Sequence, residues 1–143
     1  RRAPNPKRPR LAVDERPCIL LGNSIHPLPM KPGVVLREDY SYERHGVANV
    51  LLAYDLDTGE RFVHIRRRRR SQEYAVFMNS LAAQYPEAEL LDIVQDNLNT
   101  HTVASFYKTF DAPSALSLAQ RFVFHYTPKH ASWLNIVEIE FSA

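Results

Sequence analysis

Three acids in this chain stand where a metal site would be built. Asp14 closes the apolar run Leu11-Ala12-Val13, and Asp96 follows a second run, Leu90-Leu91-Asp92-Ile93-Val94. Near the end, a turn carrying Pro128 and His130 leads into a helical stretch that places Asn135 and Glu138 on one face. Hard divalent cations such as Mg²⁺ take oxygen ligands, often only one or two carboxylates plus phosphate. Two such ions about 3.5–4 Å apart promote both halves of a phosphoryl displacement. Two Asp and one Glu from three separate elements form a suitable ligand set. An Asp after a strand serves equally well as a turn residue or helix cap, so spacing alone leaves both readings open.

Neighbouring acids can be sorted by geometry. Asp14 and Glu15 are adjacent on an extended segment and point to opposite faces, so only one enters a shared site. Glu138 and Glu140 lie about 200° apart around a helix, so again only one does. Asn135, three residues earlier, shares the face of Glu138, which favours Glu138.

The elements that must position these acids read as follows. Pro4, Pro6 and Pro9 make residues 1–10 an extended arm. A short strand ends at Asp14. Residues 16–33, rich in Pro and Gly, form a loop with an extended piece at 18–21. Residues 47–65 form a β-hairpin around Asp57-Thr58-Gly59. Its second strand must leave the sheet near Arg66, because arginine would occupy both faces beyond it. Ser71 caps a helix over 71–84, whose Tyr74, Phe77, Met78 and Leu81 recur at helical spacing. A strand over 89–95, helices over 102–110 and 114–120, a strand over 121–126 and a helix from Ser132 complete the order. Such alternation predicts an α/β sandwich with a mixed sheet.

The 143 residues suffice for one domain with a real core. No apolar run approaches the roughly 18 residues of a membrane span, and the basic start lacks a signal-peptide core. A lone Cys18 excludes an internal disulfide and a Cys-based zinc site, and points to a reducing cytosol. Net charge is +2, but it is unevenly spread. Arg1, Arg2, Lys7, Arg8 and Arg10 crowd the start, and Arg66, Arg67, Arg68, Arg69 and Arg70 form an unbroken run. The remainder holds eight basic groups against sixteen acids. An acidic body with two basic patches suits a polyanion partner. A solvated tail and strand end fit the same patches.

Four motifs then occur in order: Ala12-Val13-Asp14-Glu15-Arg16-Pro17; Asp39-Tyr40-Ser41-Tyr42-Glu43-Arg44-His45-Gly46-Val47-Ala48-Asn49; Gln95-Asp96-Asn97-Leu98-Asn99-Thr100-His101; and His125-Tyr126-Thr127-Pro128-Lys129-His130-Ala131-Ser132-Trp133-Leu134-Asn135-Ile136-Val137-Glu138. From about Leu11 onward the chain resembles the catalytic domain of bacterial insertion-sequence transposases of the mariner superfamily. That resemblance implies a ribonuclease H-like mixed sheet flanked by helices, and a DDE triad of Asp14, Asp96 and Glu138. It also implies two Mg²⁺ or Mn²⁺ ions at those acids, and cleavage and strand transfer on double-stranded DNA. A homodimer on paired transposon ends and a cytoplasmic, nucleoid-associated setting follow from it too. The domain division expected is a basic arm over 1–10 and the catalytic domain over 11–143.

Beside the triad, Asn97, His101 and Asn135 are read as supporting residues. Lys129, His130 and the arginine run are read as DNA contacts. Trp133 fits core packing better than base stacking. Several features depart from the family pattern. No helix-turn-helix region is evident. The sequence stops five residues after Glu138, as in a truncated copy. Gln95 replaces an apolar residue, and Asp92 charges the same strand. A catalytically inactive remnant that binds nucleic acid only through its basic patches is the alternative, and a nuclease-fold domain without a role of its own is a third.

Overall fold

The computed structural model describes residues 3–23, 32–33, 42–128 and 136–142. Among the described residues, five strands form one sheet: β1 (Arg10–Asn23), β2 (Tyr42–Asp55), β3 (Arg61–Arg66), β4 (Leu91–Gln95) and β5 (Phe122–Tyr126). The described residues also form four helices: α1 (Ser71–Gln84), α2 (Ala104–Thr109), α3 (Ala112–Gln120) and α4 (Val137–Glu140). Spatial order is β3-β2-β1-β4-β5. The β1–β2 and β2–β3 pairs are antiparallel, whereas β1–β4 and β4–β5 are parallel. The mixed sheet expected from the alternating elements is therefore present.

Strand alternation divides the side chains between two faces. Leu11, Val13, Leu51, Ala53, Leu91 and Ile93 pack against the buried side of α1, with Tyr74, Phe77, Met78 and Leu81. Each fully buried side chain of this size contributes about 1.5–3 kcal/mol of transfer free energy. The other face carries a smaller cluster of Ala12, Leu52 and Val137, flanked by Tyr54 and Phe141, where α4 docks.

The hairpin turn forms as its sequence predicts. The Asp55 carboxylate accepts the backbone N–H groups of Asp57 and Thr58 at 2.8 and 3.0 Å. Gly59 takes a φ of 81°, which favours glycine. β3 ends at Arg66, where the arginine run begins.

Three expectations need correction. β1 does not stop at Asp14 but continues to Asn23, so residues 16–23 are strand rather than loop. The reason is β2, which is equally long and pairs with β1 as far as Asn23↔Tyr42. Past Ala12 the β4 ladder has ended, leaving β1 and β2 to extend as a ribbon. A strand with a neighbour on one side only tolerates Pro17. Secondly, Ser71 is not the cap of α1. That position falls to Arg70, which has extended backbone angles and no side-chain cap bond. Thirdly, Gln95 is no flaw in β4, as its bonding below shows. The start of the last helix, at 132–135, lies outside the described residues.

Candidate active site

Asp14 lies on β1 with its side chain on the α4 side of the sheet, two residues after Ala12 of the smaller cluster. The parallel register pairs Ala12 with Val94. Carried two residues further, it sets Asp14 level with Asp96, which follows the last residue of β4. Glu138 comes from the opposite direction, on α4. That helix is short, yet tertiary contacts hold it. Val137 is fully buried beneath it. The Arg16 guanidinium donates to the Phe141 carbonyl and lies 5.9 Å from the Phe141 ring centroid. Arg61 pairs with Glu140. This last contact draws Glu140 away, in keeping with the assignment of Glu138 over Glu140.

Asp14, Asp96 and Glu138 line one cavity of about 440 Å³, together with Glu15, Arg16, Pro17, Phe141 and Ser142. Asp14 is 7% exposed. Its carboxyl is pushed up to about 6, chiefly by burial and further by the charges of Asp96 and Glu138, against a lowering bond from the Glu15 N–H. Like-charged groups facing one buried carboxylate form a site short of positive charge.

This donor chemistry fits a hard divalent cation. Among the described residues, no three His, Cys, Asp or Glu side chains are grouped as a ready ligand set for an ion. Magnesium commonly engages only one or two protein carboxylates and completes its shell with water and phosphate. The arrangement suits ions that keep several waters, some of them exchanged for phosphate when substrate binds.

His101 is wholly buried behind Asp96. Its Nδ1 lies 2.8 Å from Asp96 Oδ1, and its Nε2 lies 3.3 Å from Glu15 Oε2. Burial pushes the imidazole pKa down. Hydrogen bonds and charge from Asp96 and Glu15 outweigh that and raise it above its ordinary value. A doubly protonated ring satisfies both contacts as a donor.

The ring is held from several sides. Tyr74 stacks on it at 4.7 Å between centroids. The Tyr74 hydroxyl donates to Gln95 Oε1 at 2.7 Å, and Gln95 Nε2 donates to the His101 carbonyl at 2.8 Å. Gln95 thus staples the loop after β4 to α1, which explains a fully buried amide at the end of this strand.

The remaining candidates fall as follows. Asn97 is exposed on the loop after Asp96. Arg66 to Arg70 lie exposed between β3 and α1, and Arg69 Nε reaches Glu15 Oε2 at 3.1 Å. Lys129, His130 and Asn135 lie outside the described residues. In the first basic patch, Lys7 pairs with Glu89, Arg8 pairs in a fork with Asp92, and Arg10 pairs with Asp57. Asp92 is held below its usual range, first by the Arg8 hydrogen bond. These three cations are engaged by the protein's own acids.

Sequence reasoning passed over Glu15, Arg16 and Gln95. The alternation argument did separate Glu15 from Asp14, and the Arg69 and His101 contacts show what occupies it. For Arg16 no local signal exists, because its partner is 125 positions away.

The sequence profile of the DDE superfamily endonucleases matches residues 9–143, and the chain belongs to that family. No curated protein matches it. Among solved structures, it is similar to a chain of the simian T-cell lymphotropic virus intasome in complex with PP2A regulatory subunit B56 gamma. There the identity is 16% and the TM-score 0.50, over 99% of this chain and 44% of that one. It is also similar to a chain of the Mos1 strand transfer complex, at 13% identity and a TM-score of 0.47, over 93% of this chain and 40% of that one. The chain thus spans less than half the length of either. The first likeness supports the fold alone: a ribonuclease H-like mixed sheet with flanking helices, as expected. Among the described residues, no helix is long and apolar enough to cross a membrane.

Proposed function

We propose that this domain cuts double-stranded DNA and joins the freed 3′ ends to a target, as the catalytic part of an insertion-sequence transposase. Asp14, Asp96 and Glu138 form its carboxylate triad in this reading. The observation that carries it is the convergence of these acids, from β1, the end of β4 and α4, on one cavity. Family membership adds to it.

Asp14, Asp96 and Glu138 would hold two Mg²⁺ or Mn²⁺ ions. When bound, these supply the charge that favours the attacking oxygen and stabilises the leaving one in phosphoryl displacement. The protein's own groups do the rest. Burial and the charges of Asp96 and Glu138 raise the Asp14 carboxyl, so a cation at this point relieves like-charge repulsion. His101 orients Asp96. In the arginine run, Arg66, Arg67, Arg68 and Arg70 hold DNA phosphates without reading sequence, while Arg69 faces Glu15. Lys129 and His130 contact the scissile phosphate, and Asn97 and Asn135 support the acids. Two copies act on paired DNA ends in the nucleoid.

The test is Mn²⁺-dependent nicking of supercoiled plasmid, with Mn²⁺ binding followed by calorimetry. Asp96→Asn is expected to lower nicking more than about 100-fold while leaving DNA binding intact. Salt-dependent DNA binding without Mn²⁺ uptake or nicking would instead identify a remnant that only binds nucleic acid.

A further inference from the structure

One connected set of side chains runs from the protein surface to the candidate site. Asp96 is the first residue after β4, in an irregular segment, so backbone pairing does not orient its carboxylate. His101 does, through the 2.8 Å contact from Nδ1 to Asp96 Oδ1. On the far side of the ring, Nε2 faces Glu15 Oε2 at 3.3 Å. The same Glu15 oxygen receives Arg69 Nε at 3.1 Å. Side-chain exposure falls inward, from 39% at Arg69 to 5% at Glu15 and 0% at His101. Arg69 is thus a member of the exposed arginine run whose guanidinium is committed to a buried carboxylate.

We propose that Arg69, acting through Glu15 and His101, is a positioning residue that fixes the Asp96 carboxylate for its ion. This rests on the metal-site reading above. Two physical points support it. First, Glu15 follows Asp14 in sequence and lines the same cavity, yet its Oε2 already faces two nitrogen groups. That engagement keeps Glu15 out of the ligand set. Secondly, a buried carboxylate deprived of its partner carries the full cost of desolvation. Without Arg69, Glu15 must recruit a new partner, and His101 is the group nearest to hand. Any shift of the imidazole toward Glu15 loosens its hold on Asp96.

The sign of the effect separates this role from simple electrostatics. Removing a cation close to a cation site ordinarily tightens metal binding, since one repulsive charge is lost. A positioning role demands the reverse. The experiment measures Mn²⁺ affinity without DNA for wild type, Arg69→Ala, Arg69→Lys and, as a control, Lys108→Ala, an exposed cation on α2. It also follows the His101 ring signals by NMR in the metal-free proteins. Expected are about 10-fold weaker Mn²⁺ binding for Arg69→Ala and substantial recovery in Arg69→Lys. Lys108→Ala should bind unchanged or tighter, and the His101 signals should move in Arg69→Ala alone. If Arg69→Ala binds Mn²⁺ as tightly as wild type or tighter, or if His101 is unmoved, the positioning role is overturned while the metal site stands. If wild type itself takes up no Mn²⁺, the metal reading fails and the role toward Asp96 fails with it.

Discussion

The Tyr74 hydroxyl and the Gln95 amide meet at 2.7 Å inside the core, and the same amide holds the His101 carbonyl from its other end. One side chain therefore satisfies two buried partners. Gln95→Leu keeps the shape and leaves both partners unpaired. Each such group costs about 1–3 kcal/mol. Urea unfolding is expected to show a loss of about 2–6 kcal/mol on that basis. A loss under about 1 kcal/mol would mean that water replaces the amide.

Asp14 makes the metal-free protein respond to pH in an unusual direction. Its folded pKa of about 6 lies above the unfolded carboxylate value near 3.9. The folded state therefore holds the proton more tightly between these values. The stabilisation is complete at low pH and is lost as pH rises through about 6. Relative to wild type, Asp14→Asn should gain up to about 3 kcal/mol between pH 4 and pH 7.5. Paired urea titrations across that range measure the difference. A gap independent of pH contradicts the assigned pKa.

The arginine run should appear in the salt dependence of DNA binding. Each phosphate contact contributes about 0.9 to the slope of log affinity against log salt. Replacing Arg66, Arg67 and Arg68 together is expected to lower that slope by about 2–3 on duplexes of any sequence. An unchanged slope would assign those side chains to solvent.

Val137 links stability to the site. It is fully buried between α4 and the sheet, one residue before Glu138. Val137→Ala should cost about 1–3 kcal/mol and lower nicking beyond the fraction unfolded. Activity measured well below the melting temperature separates the two effects. Full activity in the folded variant would show that Arg16 and Arg61 alone hold α4.

Much of this organisation was legible from local pattern. Helical spacing of Tyr74, Phe77, Met78 and Leu81 located α1, although its cap is Arg70 rather than Ser71. Arginines on both faces marked the end of β3 at Arg66. Alternation separated Asp14 from Glu15 in direction, yet both line the same cavity. What escaped were features that depend on distant partners. The prolines and glycines after Asp14 argued for a loop, but a long β2 overrode them by supplying a ladder to Asn23. Gln95 looked out of place until Tyr74 and His101 were seen around it. The three engaged cations of the first basic patch looked available for a polyanion because Asp57, Glu89 and Asp92 lie far away in sequence.

The length of β1 has one more consequence. Asp14 and Glu15 differ only in which way the pleat turns them, so a one-residue slip of β1 would present the wrong carboxylate to α4 and carry its neighbour to His101. The irregularity in the β1–β2 ladder falls between Leu20 and Leu21, out on the ribbon and past the acids. It lies between the acids and the segment that connects the two strands, so Asp14 and Glu15 keep one unbroken register with Leu52 and Leu51.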